Sequence, residues 1–305
     1  MTRILILGAA GRMGRMLIAH VLRAPDMDLA GATEAPGNPA LGQDAGVLAG
    51  QDACGVAVTD DAAALLDGAD AVIDFTAPSC TMALAPVAAA RGCALVIGTT
   101  GLTQDDKNGL ASLAEDGARI VFAPNMSIGV NLLFYLCGKV TPILGDDYDI
   151  EVVEMHHNQK KDAPSGTAAR LGEILADAAG LDYEEDTCHG REGMVGARPK
   201  KQIGMHAVRG GDVVGDHTVI FATQGERVEL THKAGSRETF TKGALRAVRF
   251  LAQSTPGLYD MQDVLGLRHP LPLEPYDAID EIVHPEGRRG DRVKGWGGVQ
   301  NRSCH

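Results

Sequence analysis

The sequence predicts an α/β protein: a parallel sheet covered by helices, followed by a second region of mostly antiparallel strands. Three observations carry this expectation. Residues 1–125 alternate between short apolar runs and stretches of helical spacing. Those runs are apolar without strict alternation, as in strands buried on both faces of a helix-covered sheet. Beyond residue 128 the strand candidates alternate better, with turns at Gly210-Gly211 and Gly225, the pattern of antiparallel pairing.

In order, the first region has strand candidates at 4–7, 29–33, 71–75, 95–98 and 120–122. Helical stretches between them are clearest at 13–22, 81–90 and 104–115. The second region opens with a helix at 129–138 and a strand at 149–155. A loop rich in Gly, Ser and Pro and a helix at 167–179 follow. Antiparallel strands are expected at 202–208, 218–223 and 227–231. Ala244, Val248 and Leu251 then mark a helix at 240–252.

Composition narrows the partners. At about 150 residues per domain, 305 residues suggest two domains. A net charge of −12 excludes nucleic acid as the main partner, because phosphate binding needs a basic face. No apolar run approaches the roughly 20 residues of a membrane span, so no membrane partner is expected. The start, Met1 to Gly8, is too short in apolar residues for a signal peptide and reads as a first strand. Cysteines 54, 80, 93, 137, 188 and 304 form no CxxC pair and no metal-ligand spacing. Free thiols, a cytoplasmic location and no metal site are expected. Residues 268–305 are rich in Pro and Gly and balanced in charge, and they contain Trp296. They read as an extension draped on or appended to a finished domain.

The run Gly8-Ala9-Ala10-Gly11-Arg12-Met13-Gly14 lies between the first strand and the first helix. Glycine there permits positive φ and close approach to a pyrophosphate, and the helix N-terminus offers free amides to it. Glu34 follows the second strand, where a carboxylate can accept hydrogen bonds from adenosine ribose hydroxyls. A plain glycine-rich turn with a surface glutamate would show the same letters. Strand, helix and acid in their proper places favour dinucleotide binding. A carboxylate near the ribose 2′ position repels the extra phosphate of NADPH, and Ala35 and Pro36 supply no arginine beside it. Arg12 and Arg15 remain available to a phosphate; the reading favours NADH over NADPH.

The segment Glu154-Met155-His156-His157-Asn158-Gln159-Lys160-Lys161, continuing to Ala168, carries the chemistry. Two histidines and two lysines within six positions offer proton donors and a grip on a carboxylate. Ser165-Gly166-Thr167 precedes Ala168, Leu171, Leu175 and Ala178, so it begins a helix whose amides can hold an anion. A polar loop with a serine cap is the bland alternative. A metal fits poorly, since adjacent strand histidines point to opposite sides and no third ligand is apparent.

On these motifs the sequence resembles the dihydrodipicolinate reductase family. The resemblance covers residues 3 to about 267. Its carriers are GAAGRMG at 8–14, DFTAP at 74–78, GTTG at 98–101, APNMS at 123–127 and EMHHNQKKDAPSGTA at 154–168, with support from REG at 191–193, RGGDVVGDHTV at 209–219 and THKAGSR at 231–237. The resemblance implies a Rossmann-like dinucleotide-binding domain at 1–127 and 237–267. An inserted α+β domain for substrate and oligomerisation would occupy 128–236, with an extension at 268–305. It implies His156 as catalytic acid/base, Lys160 as second proton donor, and His157, Gly166 and Thr167 as substrate contacts. Gly8, Gly11, Arg12, Met13 and Gly14 would hold the pyrophosphate and Glu34 the ribose. Gly98, Thr99, Thr100, Ala123, Pro124, Asn125 and Met126 would surround the nicotinamide. The implied substrate is a small cyclic dicarboxylate, the cofactor NADH or NADPH, and the assembly a homotetramer. Two rival readings are a dehydrogenase of another small carboxylate or imine, and a non-catalytic nucleotide-binding protein; the proton donors argue against the second.

Overall fold

Ile4, Leu5, Ile6 and Leu7 are all buried, so the first strand lies inside a sheet covered on both faces. The computed structural model describes residues 1–268. Its first part contains β1 (Thr2–Leu7), α1 (Arg12–Arg23), β2 (Met27–Thr33), α2 (Ala45–Leu48), β3 (Val58–Thr59) and α3 (Ala62–Leu65). It continues with β4 (Ala71–Asp74), α4 (Pro78–Ala90), β5 (Ala94–Ile97), α5 (Gln104–Glu115) and β6 (Arg119–Phe122). The second part contains α6 (Ile128–Leu144), β7 (Asp149–His156), α7 (Gly166–Ala179), α8 (Tyr183–Asp186) and β8 (Thr187–His189). It ends with β9 (Ile203–Arg209), β10 (Gly215–Thr223) and β11 (Glu226–Ala234). Then come α9 (Glu238–Leu251), β12 (Gly257–Tyr259) and α10 (Met261–Val264).

Seven strands pair in parallel in the order β12-β6-β5-β4-β1-β2-β3. Alternate residues of β1 feed two cores. Ile4 and Ile6 pack with Leu17 and Ile18 of α1 and Ala244 and Val248 of α9. Leu5 and Leu7 pack with Ala85 and Ala88 of α4 and Leu110 of α5. Burial of this extent stabilises each large side chain by about 1.5–3 kcal/mol. The chain returns to this sheet after its second part: α9 packs on α1, β5 and β6, and β12 pairs with β6.

The second sheet has the order β11-β10-β7-β9-β8. One face is buried under α6 and α7 through Ile150, Val152, Met205, Val219 and Phe221. Its long ladders, β11 with β10 and β10 with β7, are antiparallel, as expected. The strand expected to be antiparallel at 202–208 is not: β9 runs parallel to β7, and β8 runs parallel to β9. The reason is the connection. The chain leaves β7 through α7, and a helical crossover returns a strand in the same direction, whereas a hairpin would reverse it.

The premise that no apolar run approaches the length of a membrane span also needs correction. The segment Ile128–Asp147 is long and apolar enough, by length and composition, to cross a membrane. In this fold α6 is a core helix whose Val130, Leu133, Phe134 and Cys137 are buried against the second sheet and α7. Short elements such as β3, β8, β12 and α10 escape sequence reading because two to four residues cannot display a period. The reading of residues 269–305, including Trp296, lies outside the described residues.

Helix α9 docks on the loop after β6 with no room to spare. A Cβ placed on Gly243 of α9 would lie 1.7 Å from the Met126 carbonyl oxygen, in the loop after β6. Gly243→Ala is therefore expected to lower stability by at least about 2 kcal/mol in urea unfolding. Gly68→Ala, where nothing lies within 4 Å, should stay within about 0.5 kcal/mol of wild type.

Candidate active site

At the C-terminal ends of the parallel strands, a cleft of about 270 Å³ is lined by Arg12, Met13, Gly98, Thr99, Thr100, Pro124 and Met126. These are seven of the sequence-predicted nucleotide residues, brought together from three separate loops. Phe75, Thr76, Arg237 and Phe240 complete the wall. Larger hollows of about 610 and 530 Å³ lie against the second sheet. Position outweighs size here, because open α/β sheets bind ligands beyond their strand C-termini.

The glycine turn folds as its composition dictates. Gly8 has φ +70°, and a Cβ on Gly14 would sit 2.0 Å from the Gly8 carbonyl oxygen. Helix α1 has no side-chain cap and no acid in its first turn. The amides of Arg12, Met13 and Gly14 make no hydrogen bond among the described residues. An uncapped helix start with a glycine cradle fits a pyrophosphate. Glu34 leans over this turn: one oxygen accepts from the Ala10 amide at 2.9 Å and the other from the Ala35 amide at 3.0 Å.

A buried carboxylate ties the cleft's loops together. Asp74, at the end of β4, accepts from the Thr76 amide (2.8 Å) and hydroxyl (2.6 Å), the Thr81 hydroxyl (2.6 Å) and the Thr99 hydroxyl (3.2 Å). Thr76 and Thr99 are thereby fixed on adjacent loops.

A second centre forms at the end of β7. Glu154 and His156 lie two residues apart on one strand and so share its inner face. Glu154 is 1% exposed and His156 8%. The Glu154 carboxylate accepts two bonds from the Arg209 guanidinium, each 2.8 Å, and one from the Ser165 amide at 3.1 Å. It also holds His156 Nδ1 at 2.6 Å. Burial alone would raise its pKa, but Arg209, His156 and the Ser165 amide together hold it below the ordinary carboxylate value. A carboxylate on Nδ1 leaves His156 Nε2 as the atom free to exchange a proton with a ligand.

Glu154 also seats the helix that follows. Ser165 caps α7, its hydroxyl accepting from the Ala168 amide at 3.2 Å. The same oxygen lies 3.1 Å from His217 Nε2 on β10. His217 stands opposite Glu154 in the ladder and meets the His156 ring edge-on, with centroids 5.1 Å apart. Burial, and then the neighbouring His156, push its pKa down to about 4. A neutral His217 takes the Ser165 hydroxyl hydrogen at Nε2 and carries its own proton at Nδ1, which is buried without a partner. Beyond the cap, the amides of Gly166 and Thr167 make no hydrogen bond among the described residues, and the space beside Gly166 is open.

Other predicted residues are placed less closely. Lys160 is paired with Asp162 at 2.9 Å in the same loop. The His157 amide donates to the Val213 carbonyl, anchoring the start of that loop to the β9–β10 connection. Asn125 reaches across from the nucleotide loop to the Thr167 hydroxyl at 3.0 Å.

Two family models match, both by residue range and by order: "Dihydrodipicolinate reductase, N-terminus" over residues 2–126 and "Dihydrodipicolinate reductase, C-terminus" over residues 129–265. The chain belongs to the dihydrodipicolinate reductase family. It is 53% identical over 268 residues to the 4-hydroxy-tetrahydrodipicolinate reductase of Hahella chejuensis, covering 88% of this chain and all of that one. Its identity to the Anaeromyxobacter dehalogenans enzyme of the same name is 52%, covering 88% and 99% of the two chains. The fold matches a dipicolinate-bound dihydrodipicolinate reductase from Paenisporosarcina sp. TG-14, with a TM-score of 0.68 at 23% identity, over 86% of this chain and 98% of that one.

In this reductase-family chain, sequence reasoning left Glu154, Arg209 and His217 without a role. Glu154 carried a usable signal, since a residue two positions before His156 on a strand shares its face. Arg209 and His217 lie in the RGGDVVGDHTV motif, but nothing local gave them a role, because they meet the site from 55 and 52 residues away.

The buried, neutral His217 has a measurable consequence. Its folded pKa is depressed, so the unfolded chain binds the extra proton first as pH falls below 6.5. Stability is therefore present above that pH and lost toward the folded value of about 4. Glu154 loses its own contribution only below 4.5. Urea unfolding should show about 2 kcal/mol of stability lost between pH 6.5 and 4.5 from this group. His217→Gln should flatten that slope.

Proposed function

We propose that this chain is a 4-hydroxy-tetrahydrodipicolinate reductase. It uses NAD(P)H to reduce a cyclic dicarboxylate with loss of water, giving tetrahydrodipicolinate for diaminopimelate and lysine biosynthesis. One observation carries the reading. Glu154 gathers the His156 ring and the open N-terminus of α7 around a single buried carboxylate. A proton donor and an anion cradle thus stand side by side, and the Asn125–Thr167 bond ties the cradle to the nucleotide loop.

The chain's residues divide the work as follows. The free amides of Gly166 and Thr167, with the Thr167 hydroxyl, take one substrate carboxylate. His157 and Lys160, on the loop between β7 and α7, are the further substrate contacts. His156, held at Nδ1, delivers a proton from Nε2 to the departing hydroxyl, and Lys160 is the second donor on that loop. The bound reduced nicotinamide supplies the hydride, which the substrate accepts at a ring carbon as water leaves. Gly8, Gly11, Arg12, Met13 and Gly14 hold the pyrophosphate, and Glu34 takes the adenosine ribose. Gly98, Thr99, Thr100 and residues Ala123, Pro124, Asn125 and Met126 border the nicotinamide.

NADH is the preferred cofactor in this reading, because the Glu34 carboxylate at the turn opposes a 2′-phosphate. We assign the nucleotide domain to 1–127 and 237–267 and the substrate domain to 128–236, in a cytoplasmic homotetramer. Support for the assembly comes from the uncovered face of the second sheet, where Val153, Met155 and Ile220 are only half-buried and Val208 is exposed.

His156→Gln and Lys160→Ala should each cut turnover by about 10²- to 10⁴-fold while NADH binding persists. Near-normal turnover in either variant would remove its assigned role. A coupled assay with freshly generated substrate should give a higher kcat/KM with NADH than with NADPH; the reverse order would overturn the Glu34 argument.

A further inference from the structure

The side chain of Asn125 sits on the nucleotide side of the site, yet both of its ends are engaged elsewhere. Its Oδ1 accepts from the Ser127 amide at 2.9 Å, and its Nδ2 donates to the Thr167 hydroxyl oxygen at 3.0 Å. The first bond fixes which end of the amide is which: an oxygen must face an N–H, so the NH₂ group must face Thr167. The loop itself is pinned, because the Asn131 side chain donates to the carbonyls of Asn125 and Ser127, each at 2.8 Å.

This arrangement orients Thr167. A helical threonine hydroxyl commonly donates back to a carbonyl in the preceding turn. Thr167 is the second residue of α7, with no helical turn before it to supply that carbonyl, and its oxygen accepts from Asn125. With one lone pair occupied by an N–H, the hydroxyl hydrogen cannot serve Asn125 and is left for a ligand at the Gly166 and Thr167 amides. A third donor is thereby offered to whatever anion those amides hold.

We propose that Asn125 is a positioning residue for substrate, which turns the Thr167 hydroxyl into a donor toward the substrate carboxylate and links the nucleotide loop to the anion cradle. The proposal rests on the reading of Gly166 and Thr167 as the carboxylate site. It assigns the Asn125 side chain to substrate, while the backbone of its loop borders the cofactor.

The test measures two dissociation constants, for pyridine-2,6-dicarboxylate and for NADH, in four variants of the full chain. Asn125→Ala should weaken the dicarboxylate about tenfold, as expected for one oriented bond to a charged group, and shift NADH by less than about twofold. Asn125→Asp keeps the acceptor for the Ser127 amide but turns the other end into an acceptor of the Thr167 hydrogen. It should weaken the dicarboxylate by about a hundredfold, more than the truncation does. Thr167→Val should itself weaken the dicarboxylate about tenfold. In that background Asn125→Ala should add less than about twofold, because the group it orients is gone.

A purely structural role would make the two losses multiply and would spare the Ser127-bonding aspartate; either result overturns the proposal. A tenfold loss of NADH affinity in Asn125→Ala with unchanged dicarboxylate binding overturns it as well. If Thr167→Val leaves the dicarboxylate unaffected, the carboxylate reading itself fails, and the role of Asn125 falls with it.

Discussion

Glu154 is a carboxylate almost wholly removed from water, and such a charge persists only if its oxygens are filled with donors. The fold supplies them from three directions: Arg209 at the end of β9, His156 on its own strand, and the Ser165 amide at the start of α7. Satisfying one anion thus sets the imidazole's tautomer, the position of α7 and the course of the loop between them. The parallel placement of β9 beside β7 is a condition of this. It brings Arg209 into register with His156, next to the strand end where the carboxylate lies.

A similar device works on the nucleotide side at smaller scale. Asp74 draws hydroxyls from two consecutive loops, so that the cleft's wall is shaped by a buried charge. The two centres communicate through few contacts, of which Asn125 with Thr167 is a direct one. This division suits an enzyme that takes two ligands, one at each centre. It also reconciles a chain of net charge −12 with an anionic substrate. In the proposed reading the attraction is local, made by the helix amides of α7 and the side chains of the loop before it, and it needs no basic surface.

The nucleotide half was legible in the sequence because its signals are local. Glycines 8, 11 and 14, the buried strand runs and Glu34 lie within one βαβ unit. The segment from His156 to Thr167 was legible for the same reason, down to the Ser165 cap. What escaped detection is tertiary. His217 reads as an ordinary strand residue until β10 pairs with β7. The direction of β9 depends on α7 crossing over, which no pattern within residues 203–209 can reveal. Asn125 and Thr167 are 42 residues apart, and nothing in either neighbourhood points to the other.

The central claim, that one buried carboxylate organises a hydride-transfer site for a cyclic dicarboxylate, is tested most directly by Glu154→Gln. The measurement is NADH oxidation with freshly generated 4-hydroxy-tetrahydrodipicolinate, alongside NADH affinity. The account predicts rapid oxidation in the wild-type chain and a loss of about a hundredfold or more in the variant, with NADH affinity unchanged. Wild-type rates in Glu154→Gln, or no oxidation by the wild-type chain, would contradict it.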